Sequence, residues 1–254
     1  MFSERTSVGL DVHARSVVAS ALDVESGQLR RQRLTPNVDD LRRWLAALPA
    51  PAAVTYEAGP TGFGLARTLT TAGSGVWWRR RRNCKRPAGD RVKTDARDAE
   101  HLARLPRMDQ IVPVRVPSAD EEAARDLVRA REDVRGDLMR TRHRLSKLLL
   151  RQGIVWSGGA AWTGRHELWL REQHFDRAGL QLAFDIDFEA LLLASARRDR
   201  LDKAIEAMAT DSQFTPVVRR LCCLRGVSTL TGFALAVEVG DWGRFTGSST
   251  TFPC

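Results

Sequence analysis

What most restricts the fold of this 254-residue chain is the order of hydrophobic periods at its N-terminal end. Three short β-rich runs, SVGLDV, SVVASALDV and QLRRQRL, lie between residues 7 and 35, before any helical period begins. Gly27 separates the second run from the third. Strands this close in sequence pair as an antiparallel meander, because a parallel partner needs a crossover of about a dozen residues.

Helical and strand patterns then alternate. NVDDLRRWLAAL opens with Asn37 as an N-cap and repeats apolar residues at Leu41, Trp44, Leu45 and Leu48, which predicts a helix. AAVTYEAG (52–59) reads as a fourth strand, TGFGLARTLTTAG as a helix closed by Gly73, and a fifth strand is expected near Gly75. A helix bearing Asp95 and Asp98 follows. The order βββαβαβα predicts an α/β fold with a mixed sheet of the RNase H-like kind.

From Ser118 to about Gln152 the chain predicts one long charged helix. Leu127, Val134, Thr141 and Leu148 fall at d, and Ala124, Arg131, Leu138 and Leu145 at a, a coiled-coil seam with one basic interruption. A Gly-rich connection (153–164) leads to a second amphipathic helix through Leu191, Ala194, Arg198, Leu201, Ile205 and Met208, which can fold back as a helical hairpin. Such a hairpin can serve as a spacer or dimeriser, or its arginines can track phosphates. The last segment reads helix, turn at Gly226, helix. The expected domains are therefore 1–115, a helical coiled-coil region 116–212, and 213–254 as the start of a helical C-terminal domain.

Lys and Arg outnumber Asp and Glu by 40 to 31, a formal charge of +9. That excess suits a polyanionic partner, and its spread along the chain favours nucleic acid over a membrane surface. No apolar run approaches the ~20 residues of a membrane span, and MFSERTSVGLDV lacks a signal-peptide core. Cys84, Cys222, Cys223 and Cys254 form no C-x-x-C pair, which argues against zinc or a disulfide framework and suits a reduced, cytoplasmic setting.

Four carboxylates are candidates for chemistry. Asp11 lies in an apolar strand, where an unpaired carboxylate is costly. Glu57 ends the fourth strand, expected beside the first. Asp95 and Asp98, three apart in GDRVKTDARDAEHLARL, share one helical face. Taken alone, the last pair reads equally as first-turn acids behind a Thr94 N-cap. Convergence of all four would need a hard divalent cation, Mg²⁺ or Mn²⁺, such as those that serve phosphodiester chemistry. Lys93 could contact a phosphate, and His13 and His101 lie near the cluster as outer groups or exposed side chains.

VGLDVH, YEAGPTGFGLARTL, GDRVKTDARDAEHLARL and LRGVSTLTGFALAVEVGDWGRF together resemble the DEDD-type insertion-sequence transposases, over nearly the whole chain. The resemblance implies a RuvC-like domain joined to a serine-bearing transposase domain. It places the acidic tetrad on Asp11, Glu57, Asp95 and Asp98 as catalytic, metal-binding residues. It also implies DNA cleavage and strand exchange, a structured guide RNA, and homo-oligomers formed through the coiled coil.

Two departures shape the expectations. The family continues past GDWGRF into a segment with a nucleophilic serine, for which Ser248 and Ser249 lie too early, so a truncated, inactive copy is expected. GVWWRRRRNCKRP replaces an apolar fifth strand and reads as a frame error that inflates the charge. The alternative function is a non-catalytic nucleic-acid-binding remnant that interferes with full-length copies. An actin-like kinase is disfavoured, because DVHARS lacks the glycines of a phosphate loop.

Overall fold

The computed structural model describes residues 4–57, 62–71, 75–76, 79–81, 94–108, 111–113 and 115–243. Gly73, Trp77, Trp78, Arg82, Lys93, Ser248 and Ser249, on which several expectations fall, lie outside the described residues. The chain divides into two compact units, Met1–Pro117 and Ser118–Cys254.

In the first unit, β1 (Thr6–Val12), β2 (Val17–Asp23) and β3 (Leu29–Leu34) form the expected antiparallel meander. Gly27, at φ 71°, supplies the left-handed residue of the turn between β2 and β3. Helix α1 (Val38–Ala46) begins at Asn37, whose side chain accepts the Asp39 N–H. Strand β4 (Ala52–Tyr56) returns parallel to β1, α2 (Gly64–Thr71) follows, and β5 (Gly75–Val76) pairs parallel with β4. The mixed sheet has the order β3-β2-β1-β4-β5.

β1 is central, and its two sets of alternating side chains meet different layers. Val8 and Leu10 join Val17, Ala19, Ala21, Val54 and Tyr56 in a core with α1 and α2. Buried leucines such as Leu41 and Leu69 contribute roughly 1.5–3 kcal/mol each there. Ser7, Gly9 and Asp11 occupy the other face, which α3 (Asp95–Arg104) covers. Edge strand β3 carries Arg30, Arg31 and Arg33, charges that discourage edge-to-edge pairing.

The arginine run does not extend the main sheet. Arg79–Arg81 (β6) pairs antiparallel with Ile111–Pro113 (β7) in a separate two-stranded sheet, after the 3₁₀ turn Leu105–Met108.

In the second unit, α4 (Ala119–Arg151) starts in a capping box: Ser118 Oγ accepts the Glu121 N–H, and the Glu121 carboxylate accepts the Ser118 N–H. Helix α6 (Ala178–Thr210) runs antiparallel to it, as Arg131–Asp202 at 2.8 Å and Arg144–Asp187 at 3.2 Å require. The a and d residues Ala124, Leu138, Thr141, Leu145 and Leu148 are buried in α4. Val128 and Leu149 are buried too, so the apolar stripe is wider than a coiled-coil seam. The widening has a local cause at one end: Val128 joins a core cluster with Phe214, which caps α7 (Thr215–Cys222), with Val218 of α7 and with Phe233 of α8 (Thr229–Val239). Helix α5 (Gly164–Arg171) lies just past the expected Gly-rich connection and packs Leu170 against α4 and α6.

Candidate metal centre

The centre lies where β1 ends and α3 begins, and Gly9 explains why the two meet. A Cβ on Gly9 would stand 2.1 Å from the Ala99 carbonyl oxygen and 2.4 Å from the Ala103 nitrogen. Only a glycine lets the helix backbone lie this close to the strand. Two residues earlier, Ser7 Oγ donates to the Ala103 carbonyl oxygen at 2.6 Å. On the outer side, Glu100 pairs with Arg31 of β3 and with Arg104.

These contacts fix the direction of α3. Ser7 meets Ala103 and Gly9 meets Ala99, so α3 runs opposite to β1 and its first turn falls at Asp11. Thr94 makes the N-cap, its hydroxyl accepting the Arg97 N–H at 3.4 Å. Capping therefore does not require the Asp95 carboxylate, which sits instead at the end of β1.

Asp11, His13 and Asp95 each present a ligand atom, and the three atoms lie within 4.8 Å of one another. His13 Nε2 is 3.1 Å from Asp11 Oδ2 and 3.8 Å from Asp95 Oδ1. The Asp11 side chain is 21% exposed, against 51% for His13 and 48% for Asp95, so the group opens to solvent. Carboxylates this close repel one another unless a cation lies between them. The donor set, two carboxylates and an imidazole, fits a divalent ion.

Of the other two acids expected here, Glu57 is exposed directly after β4, at the carboxyl end of the strand beside β1. Leu10 and Tyr56 form the last pair between the two strands, and Asp11 and Glu57 each follow it in the chain. Asp98 lies one turn along α3, on the face of Asp95. Neither carboxylate belongs to the set that closes within 4.8 Å. Tyr56 steadies this strand end: its buried hydroxyl accepts the Ala66 N–H at 2.8 Å, tying β4 to α2.

His13 is the member that the sequence reading left outside the cluster. The signal was present, since Asp11 and His13 are two apart and a strand places such residues on one face. No helix among the described residues is long and apolar enough to cross a membrane.

Two relatives align over most of the chain. One is y4qE of Sinorhizobium fredii (strain NBRC 101917 / NGR234), provisionally named a transposase, 35% identical over 94% of this chain and 59% of its own length. The other is the transposase for insertion sequence element IS1533 of Leptospira borgpetersenii, 33% identical over 94% of this chain and 72% of its own length. The chain thus spans between about six and seven tenths of these relatives. The family model of the DEDD-type IS110 proteins, described as a transposase, matches residues 8–153. That match takes in Asp11, Glu57, Asp95 and Asp98, and by it the chain belongs to the DEDD-type IS110 transposase family.

Proposed function

We propose that this chain is the metal-holding, DNA-engaging part of an insertion-sequence transposase, whose whole reaction is DNA cleavage and strand exchange. The observation that carries the reading is the meeting of Asp11 and Asp95, from a strand and a helix 84 positions apart, inside the family match. The sheet order β3-β2-β1-β4-β5, with its first three strands antiparallel, supports an RNase H-like unit. In such a sheet the acids gather at the carboxyl ends of parallel neighbours, as Asp11 and Glu57 do.

In this reading Asp11 and Asp95 hold a divalent cation, with Glu57 and Asp98 positioned to complete the oxygen ligands. The ion would supply Lewis-acid polarisation of a phosphodiester oxygen and neutralise charge at the scissile phosphate. The protein's own contribution is placement. Gly9 and Ser7 hold α3 against β1, and Thr94 fixes the turn that presents Asp95. The positive charge of +9 draws the DNA backbone towards the protein. A structured guide RNA would bind through the same phosphate chemistry. Homo-oligomers would form through helix faces other than the α4 seam, which α6 covers within the chain.

DNA binding with and without the ion tests this reading. Affinity of the full chain for duplex DNA should rise when Mg²⁺ or Mn²⁺ replaces EDTA, because an empty acidic cluster repels phosphate. Asp11→Asn should flatten that response. Equal affinity in EDTA and in metal for the unaltered chain would contradict it.

A further inference from the structure

The acids of this centre suggest an all-oxygen site, yet the set that closes most tightly contains a nitrogen. We infer that His13 is a direct ligand of the ion through Nε2, making this an N/O site that takes Mn²⁺ in preference to Mg²⁺. The inference rests on the metal reading proposed above and adds the identity of a ligand and the class of ion.

Geometry supports direct ligation. Ligand atoms about 2.1 Å from one ion lie about 3 Å apart at right angles and about 4.2 Å apart when opposed. His13 Nε2 stands 3.1 Å from Asp11 Oδ2 and 3.8 Å from Asp95 Oδ1, inside that window on both sides. The side chain is also placed by the backbone. His13 N–H donates to the Ser16 carbonyl oxygen at 2.9 Å, closing a two-residue hairpin over Ala14 and Arg15. That bond continues the β1–β2 ladder beyond the Val12–Val17 pair, so strand alternation puts His13 on the face of Asp11 and Gly9.

The donor types set the preference. Mg²⁺ favours oxygen ligands and retained water, whereas imidazole suits first-row transition ions, and Mn²⁺ accepts both kinds of donor. A histidine in the first coordination sphere therefore raises Mn²⁺ affinity relative to Mg²⁺. A histidine that only bonded to Asp11 from outside would steady that carboxylate for both ions alike and place no nitrogen on either.

Electron paramagnetic resonance of Mn²⁺ added to the full chain tests this. Binding is counted from the loss of the free-ion signal, and electron spin-echo modulation reads ¹⁴N coupling to the bound ion. The expected result is a bound Mn²⁺ with ¹⁴N coupling that disappears in His13→Gln. Mn²⁺ affinity should fall by at least about 10-fold in that variant, the loss that an outer-sphere partner alone can cause, and Mg²⁺ affinity should change less. Mn²⁺ bound in a manner that Asp11→Asn abolishes, but without ¹⁴N coupling, overturns the role of His13 and leaves the carboxylate centre standing. Mn²⁺ binding that Asp11→Asn does not weaken overturns the centre and the ligand together.

Discussion

Gly9 and Ala99 are in backbone contact: a Cβ on the glycine would lie 2.1 Å from the alanine carbonyl oxygen. This contact lowers α3 onto β1 and brings Asp95 to Asp11. Gly9→Ala must therefore lift the helix or distort the strand. Overpacking a rigid backbone contact costs about 1–3 kcal/mol or more. Urea unfolding should show a loss of at least that size, together with weakened Mn²⁺ binding. An alanine variant of native stability and native metal affinity would mean that α3 is placed by other contacts.

In the helical unit, Arg131 occupies an a position of α4 and is answered by Asp202 of α6 at 2.8 Å. Both side chains are about four-fifths covered. The Asp202 hydrogen bond is the main cause that raises the Arg131 pKa above its ordinary value. Asp202→Ala leaves a half-paired guanidinium and should cost about 1–3 kcal/mol in chemical denaturation. Replacing both partners, Arg131→Met together with Asp202→Leu, leaves no charge half-paired and should cost much less. Equal losses in the two variants would contradict this asymmetry.

His166 links stability to pH. It is only 4% exposed, stacks on Trp169, and its Nδ1 accepts the Trp162 N–H at 3.1 Å, which requires a neutral ring. Burial, with the nearby Arg142 charge, pushes its pKa below the ordinary value. The unfolded chain takes up a proton near the usual imidazole pKa of about 6.5, whereas the folded chain resists it. Stability from this group is thus fully present above about pH 6.5 and declines as pH falls towards the lower folded pKa. Tryptophan fluorescence should follow unfolding, since Trp156, Trp162 and Trp169 surround the ring. His166→Phe should remove much of the slope, and an unchanged slope would assign it to other groups.

The logarithm of nucleic-acid affinity should fall linearly with the logarithm of salt concentration, by about 0.9 log units per tenfold rise in salt for each phosphate neutralised on duplex DNA. Fluorescence anisotropy across 50 to 200 mM salt, on the order of the range where counterion release is strongest, measures it. A flat response would point to a ligand other than a polyanion.

Much of this architecture was legible in the residues, for physical reasons that differ by element. The meander, the Asn37 and Thr94 caps and the long helix from Ser118 declare themselves locally, through turn glycines, capping side chains and apolar period. The two-stranded sheet of β6 and β7 did not, because a run of arginines carries no strand period and its partner lies some thirty residues on. Helix α5 is only eight residues long and follows glycines that read as loop. At the centre, the pairing of β1 with β4 followed from topology. The arrival of Asp95 beside Asp11 and His13 depends on how closely α3 lies over Gly9, a tertiary contact that no local pattern encodes.

The central claim is that Asp11 and Asp95 hold one divalent ion between β1 and α3. Isothermal titration of Mn²⁺ into the full chain, and into Asp11→Asn and Asp95→Asn, measures it most directly. Two isosteric variants that keep native circular dichroism but each lose the bound ion are the result this account predicts. Mn²⁺ binding that survives unchanged in both would contradict it.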